Sequence, residues 1–268
     1  VPAWIMKYYI LDLSPKNSMV KWLVDSGHTV FMISWKNPSV SDRDVGMDDY
    51  VRKGVYAALD AVNAIVPDRK VHAVGYCIGG TLLTIAAAAL ARKGDERIKD
   101  ITLFAAQTDF SEPGELSLFI SPSQLAMLEA LMLKEGVLDS SKMGAAFAML
   151  RAHDLLWQPA VNAYLKGERA AMIDLMAWNA DGTRMPARMH TEYLYGLYLN
   201  NDLSHDRFKV EGEVIHLSDI RVPMFVVGTE TDHVAPWKSV FKADRCTASS
   251  EFTFLLTSGG HNAGIISG

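Results

Sequence analysis

Apolar residues along the chain fall into two kinds of run. In the first, Tyr50, Val51, Val55, Leu59 and Val62 recur at three- and four-residue spacing, which places them on one face of a helix. Asp42 is its candidate N-cap, and Pro67-Asp68 closes it. In the second, residues 29–34 (TVFMIS), 71–75, 101–105, 222–228 and 251–256 are short, bulky or β-branched, and nearly continuous in their apolarity. Strands of that composition are buried on both faces, and here they alternate with helical segments. The pattern predicts an α/β fold with a mostly parallel sheet covered by helices on both faces. Functional groups in such a sheet belong at the carboxyl ends of the strands. Before the first of these strands, Ser14 and Pro15 mark a helix start, with Met19, Trp22 and Leu23 toward a core and a stop near Gly27.

Between Gln107 and Arg221 the alternation fails. Apolar helical patches at 125–133, 145–156 and 172–178 are interrupted by Pro113, Gly136, Pro159, Gly182 and Pro186. The segment is too long for an ordinary connection and too apolar for a disordered one. It reads as an inserted helical cap or lid over residues 107–221, leaving 1–106 and 222–268 as the core. Methionines 127, 132, 143, 149, 172, 176, 185 and 189 suit an adaptable apolar surface, although a stripe of this kind is more often plain core.

Chemistry concentrates in residues 71–91. Gly75-Tyr76-Cys77-Ile78-Gly79 joins a predicted strand to an apolar helix beginning near Thr81, with cysteine at the centre of the G-x-nucleophile-x-G turn. The turn pushes the sulfur outward at a helix N-terminus, where backbone amides favour a thiolate. A free cysteine is commonly just a small buried apolar group, but the strand–turn–helix context favours a nucleophile. Such a nucleophile needs a base and a group that orients the base. His261, in the glycine-rich turn after the last strand, and Asp232, just after the preceding strand, supply both, in the order nucleophile, acid, histidine.

Other roles compete for these residues. Asp232 is also a candidate cap for a helix near Pro236 and Trp237, His233 is an alternative base, and Glu230 is a reserve acid. His72 reads as structural, and His28, His153, His190, His205 and His216 as ordinary surface or interface histidines without a carboxylate or cysteine partner at metal-ligand spacing. Cys246, in a polar stretch, reads as incidental. An oxyanion site is expected from the backbone N–H of Ile78 and a second N–H in the loop near Trp4 and Ile5.

The 268 residues carry a net charge of −5, which disfavours a nucleic-acid surface. Two cysteines cannot build a disulfide framework, so a reducing compartment is the simpler expectation. No apolar run reaches membrane-spanning length. Val1-Pro2-Ala3-Trp4 reads like the tail of a strand entering a loop, so the chain is expected to be the core of a longer protein.

The segments 2–13, 75–80 (GYCIGG), 178–186 (WNADGTRMP), 228–237 (GTETDHVAPW) and 257–264 (TSGGHNAG) together resemble the catalytic domain of polyhydroxyalkanoate synthases, most closely the class I type. The resemblance implies an α/β-hydrolase core with an inserted cap. It implies polymerisation of (R)-3-hydroxyacyl groups, short-chain ones such as 3-hydroxybutyryl, from coenzyme A thioesters. No cofactor is implied, coenzyme A thioester being the substrate and the growing polyester its partner. By the same resemblance, Cys77 holds the chain as a thioester, His261 is the general base, and Asp232 orients it or helps activate the incoming hydroxyl. Also implied are a homodimer through the cap, a cytoplasmic location and action at polymer granule surfaces. Cysteine in place of serine suits exchange between thioesters. The alternatives are a thioesterase or lipase-like hydrolase with the same triad, and a noncatalytic granule-associated binding protein.

Overall fold

Four of the five expected strands pair into one parallel sheet in the computed structural model, which describes residues 1–150, 152, 157–168 and 173–266. They are β1 (Val71–Tyr76), β2 (Ile98–Phe104), β3 (Met224–Thr229) and β4 (Phe252–Thr257), in spatial order β4-β3-β2-β1. A single row, Ala73, Ile101, Met224 and Phe252, crosses all four, and β3 and β4 run two residues further toward their carboxyl ends than β1 and β2. Ile101, Leu103 and Val226 in the middle strands are completely buried. No residue of the outer strand β4 is buried, and the adjacent Leu255 and Leu256 are both exposed. Burial on both faces therefore holds for the middle of the sheet and fails at this edge.

Residues 29–34 form no strand. The outer edge of β1 is occupied at its carboxyl end by Val1, whose carbonyl accepts the Tyr76 N–H at 3.1 Å and whose nitrogen donates to Val74 O at 2.6 Å. Just beyond the expected strand, Trp35 Nε1–H donates to Pro2 O at 2.8 Å, so the segment is anchored by its flank. The first helix also differs from expectation. Asp12–Ser14 pairs antiparallel with Asn17–Ser18, and the helix runs Met19–Asp25 with Ser18 as its cap, accepting the Lys21 N–H at 2.8 Å. None of its residues is buried, and Trp22 is 62% exposed. Nothing in the local pattern distinguished a core-facing tryptophan from a surface one.

The periodic helix begins at Met47, runs as a π-helix over Tyr50–Tyr56 and returns to α over Ala57–Ile65. Tyr50, Val51, Val55 and Leu59 are buried as the spacing requires, while Val62 is only partly covered. Asp42 does not cap it. Its carboxylate accepts the Ser39 N–H at 2.7 Å in a preceding 3-10 turn, and Asp49 receives the Gly46 N–H at 3.1 Å at the helix start.

The helix after Cys77 starts at Ile78, three residues earlier than expected, and ends at Arg92. Every residue from Ile78 to Leu90 is buried. Its glycines and alanines let the backbone approach the sheet, while Leu82, Leu83 and Ile85 each contribute roughly 1.5–3 kcal/mol of apolar burial.

Between β2 and β3 the described residues contain helices Pro122–Glu135, Ser140–Leu150, Gln158–Leu165, Asp174–Ala180 and Ala187–Tyr193, the last continuing as π-helical Leu194–Leu199. No strand of the four-stranded sheet lies among them. Gly136, at φ 71°, ends the first of these helices as a left-handed cap. Pro159 sits in the first turn of its helix and opens it. Residues 151 and 153–156 of the expected patch at 145–156, His153 among them, and Met172 of the patch at 172–178 lie outside the described residues. Of the methionines, Met132, Met185 and Met189 are buried, whereas Met127, Met149 and Met176 are exposed.

Candidate active site

The centre of the site is a backbone apex. Cys77 has φ 51° and ψ −131°, a left-handed conformation that costs a side-chain-bearing residue of order 1–3 kcal/mol. Three hydrogen bonds hold it there. Cys77 N–H donates to Phe104 O at 2.9 Å, and the Cys77 carbonyl accepts from Gly80 N–H at 2.8 Å and Thr81 N–H at 3.2 Å. The turn closes only because the flanking positions are bare. A Cβ on Gly75 would lie 2.4 Å from Gly80 Cα, and one on Gly79 would lie 2.4 Å from the carbonyl oxygens of Val1 and Pro2.

Asp232 follows β3 and is buried. Its Oδ1 accepts the Val234 and Ala235 N–H groups, each at 2.8 Å, and its Oδ2 accepts Thr229 Oγ1–H at 3.2 Å and faces His261 Nδ1 at 2.7 Å. The carboxylate thus shapes its own loop. It does not cap the next helix, which begins at Trp237 with Pro236 at the cap position. Burial opposes the Asp232 charge, but His261 and the two backbone donors outweigh it and hold the carboxyl below its ordinary range.

His261 follows β4 and is brought back over the sheet end. Tyr76, the residue before Cys77, donates its hydroxyl to Asn262 Oδ1 at 2.8 Å and stacks edge-on against the His261 ring at 6.2 Å. Burial opposes a charged imidazole, yet the Cys77 and Asp232 charges, with hydrogen bonds to both, raise His261 above its usual value. Cys77, His261 and Asp232 therefore lie in one chain of contacts, each delivered by the end of a different strand. An imidazole tied to a carboxylate at one nitrogen and in contact with a thiol can take the thiol proton. Glu230 is exposed, and it is His261 that stands at the Asp232 carboxylate.

Cys77 opens into a cavity of about 140 Å³ with a largely apolar lining that includes Ile5, Ile78, Met143, His190 and Tyr198. Both residues expected to supply oxyanion donors border it. The Ile78 N–H is in the first turn of its helix, where no intrahelical acceptor exists. Trp4 and Ile5 lie in a bend and not after a strand.

His190 differs from the sequence expectation. It is 4% exposed, it borders this cavity, and burial lowers its pKa to about 4. A histidine inside a helix reads from sequence like any surface one. His216 is exposed, as expected, and its Nδ1 lies 3.1 Å from Asp206 Oδ1. Its partner is ten residues away across a turn, a spacing no metal-ligand pattern would flag. His72 Nδ1 pairs with Asp100 Oδ2 at 2.6 Å across β1 and β2. Cys246 is partly buried, and burial pushes its thiol up to about 11. Sequence reasoning also missed Tyr193 and Tyr198, whose hydroxyls lie 3.3 Å apart beside the cavity. Both belong to the helix that starts at Ala187, where an apolar spacing test would have found them.

Residues 10–266 match the alpha/beta hydrolase fold family. The chain belongs to that family. It is 44% identical over 265 residues to the poly(3-hydroxyalkanoate) polymerase subunit of Rhizobium meliloti, covering 99% of this chain and 43% of that one. It is 41% identical to the poly(3-hydroxyalkanoate) polymerase of Methylorubrum extorquens, covering 99% and 44%. The chain thus spans less than half the length of these relatives. Among solved structures, Paleococcus ferrophilus monoacylglycerol lipase shares the fold at a TM-score of 0.59 with 11% identity, covering 97% of this chain and 84% of that one. The enol-lactonase from Burkholderia xenovorans LB400 does so at 0.56 with 14% identity, covering 98% and 83%. Among the described residues no helix is long and apolar enough to cross a membrane.

Proposed function

We propose that this chain is the catalytic part of a poly(3-hydroxyalkanoate) polymerase that works through a covalent thioester on Cys77. The observation that carries the reading is the thiol at the strained turn with His261 and Asp232 beside it, in a chain 44% identical to a named polymerase subunit over 99% of its length. His261 accepts the Cys77 proton, and Sγ attacks the thioester carbonyl carbon of (R)-3-hydroxyacyl-coenzyme A. The backbone N–H groups of Ile78 and Ile5 stabilise the oxyanion. The bond to the coenzyme A sulfur breaks, and that sulfur leaves as a thiol with the proton from His261. The 3-hydroxyl of another unit then gives its proton to His261 and attacks the Cys77 thioester. An ester bond forms, the C–Sγ bond breaks, and the thiol is restored. Asp232 keeps the imidazole in the tautomer and orientation both steps need.

In this reading residues 107–221 are a cap over Cys77, and their apolar lining keeps water from the acyl intermediate. Leu118, Leu133, Trp157, Tyr164 and Leu165 on this segment are each at least 66% exposed. Exposed apolar surface of this extent supports a second copy of the chain, or the polyester granule, as its partner. The small volume of the cavity supports short-chain units such as 3-hydroxybutyryl as substrate, and the same reading has the enzyme act in the cytoplasm.

The test is coenzyme A release from (R)-3-hydroxybutyryl-coenzyme A with product mass followed in parallel, for the full-length protein and for Cys77→Ala. Release with high-mass polyester, abolished by the substitution, supports the proposal. Release with only free hydroxybutyrate identifies a thioesterase, and release unchanged by Cys77→Ala removes the cysteine from the chemistry.

A further inference from the structure

The segment 178–184 is not used by the triad, yet it is bonded along nearly its whole length to the residues that carry the second expected oxyanion donor. It runs antiparallel to residues 4–7, with Met6 opposite Gly182. Lys7 N–H donates to Asp181 O at 3.2 Å, and Thr183 N–H donates to Ile5 O at 2.9 Å. Trp178 Nε1–H donates to Lys7 O at 2.8 Å, and Tyr9 OH to Asp181 Oδ2 at 2.8 Å. At the end nearest the nucleophile, the Thr183 hydroxyl donates to the carbonyl of Trp4.

That last bond has a geometric effect on the reacting centre. The Trp4 carbonyl and the Ile5 N–H belong to one trans peptide unit, in which C=O and N–H point in opposite directions. Fixing the carbonyl on one side fixes the direction of the N–H on the other. A hydrogen bond accepted by the carbonyl also polarises the unit and strengthens its N–H as a donor. Trp4 and Ile5 lie in a bend with no strand ladder to orient this peptide. Thr183 is buried at 5% exposure and Trp4 at 2%, so water does not readily replace the hydroxyl. Ile5 shares the cavity with Cys77 and Ile78.

We propose that Thr183 is a positioning residue that aims the Ile5 N–H at the oxyanion formed on Cys77, making residues 178–184 a brace for the oxyanion site. The inference rests on the covalent-thioester reading above. It assigns to a segment far away in sequence a task that affects only steps in which negative charge develops on a carbonyl oxygen.

The experiment compares two reactions of the same sulfur. Acylation by (R)-3-hydroxybutyryl-coenzyme A develops an oxyanion, whereas alkylation by iodoacetamide at Cys77 does not. Thr183→Val keeps the size and β-branching and removes the hydroxyl, while Thr183→Ser keeps the hydroxyl. Outright loss of an oxyanion donor costs about 10²–10³ in kcat, and a mis-aimed one retains part of its effect, so Thr183→Val is expected to slow acylation about 10- to 100-fold. KM and the alkylation rate should change less than about threefold, and Thr183→Ser should restore most of the acylation rate. Acylation by Thr183→Val at the wild-type rate overturns the proposal, as does a parallel fall in acylation and alkylation, which marks a merely structural residue. Absence of any thioester on Cys77 in the wild-type protein overturns the covalent reading and this inference with it, an outcome distinct from the other two.

Discussion

His190 should make the fold sensitive to mild acid. The imidazole is buried, its Nδ1 has no hydrogen-bond partner among the described residues, and Cys77, Lys142, Tyr193 and Tyr198 border the same cavity. Burial lowers its pKa from 6.5 to about 4. Between those values the unfolded chain binds more protons at this residue than the folded one, so stability rises with pH across the window and is lost as pH falls. Relative to neutral pH, the linkage relation gives a loss of about 2 kcal/mol at pH 5 and about 3 kcal/mol at pH 4 from this group alone. His190→Leu keeps a side chain of similar volume and removes the titration. Urea unfolding of both proteins at pH 7, 6, 5 and 4, followed by tryptophan fluorescence, isolates the effect, because other acid-sensitive groups are common to both and cancel in the difference. The variant should gain on the wild type by about 2 kcal/mol between pH 7 and pH 5. Profiles that run parallel to within about 0.5 kcal/mol, comparable to the extrapolation error, would refute the reasoning and show that the buried imidazole has a compensating partner.

Gly75→Ala places a Cβ 2.4 Å from Gly80 Cα, where backbone on both sides must move. A loss of at least about 3 kcal/mol is expected, read as a fall in melting temperature or failure to fold. Asp232→Asn removes the carboxylate that holds His261, so proton transfer from Cys77 becomes less favourable. Acylation should fall by about 10²- to 10⁴-fold with little change in KM, and iodoacetamide labelling at neutral pH should slow. In the sheet, Ile101→Ala should cost about 2–5 kcal/mol because Ile101 is completely buried, whereas Trp22→Ala, at 62% exposure, should stay within about 0.5 kcal/mol in chemical denaturation.

The parts legible in the sequence are those where one local rule governs. The strand–turn–helix around Cys77 follows from glycines whose side chains the turn has no room for. The four paired strands follow from runs too apolar to lie anywhere but in a sheet. The run at 29–34 obeyed the same rule and still formed no strand; apolarity alone does not supply a pairing partner, and the carboxyl end of the β1 edge is bonded to Val1 instead. Trp22 and His190 exchanged their expected environments for a related reason. Both sit on helices, and which face of a helix meets the core is decided by neighbours distant in sequence. Asp232 and His261 were found together only because each follows a strand, whereas Thr183 acts through the backbone of residues some 180 positions earlier, which no spacing rule addresses.

The Tyr76 phenol links the first strand of the sheet to the turn that follows the last. Two strands separate β1 from β4, a span of roughly 14 Å at ordinary strand spacing, and small changes of twist accumulate across it. Were His261 held by β4 alone, those changes would appear directly in its distance from Cys77. The hydrogen bond from Tyr76 to Asn262 ties the histidine turn to the residue covalently next to the nucleophile. On the proposed reading of Cys77 and His261 as nucleophile and base, this bond gives the two a short link that does not run through the intervening strands.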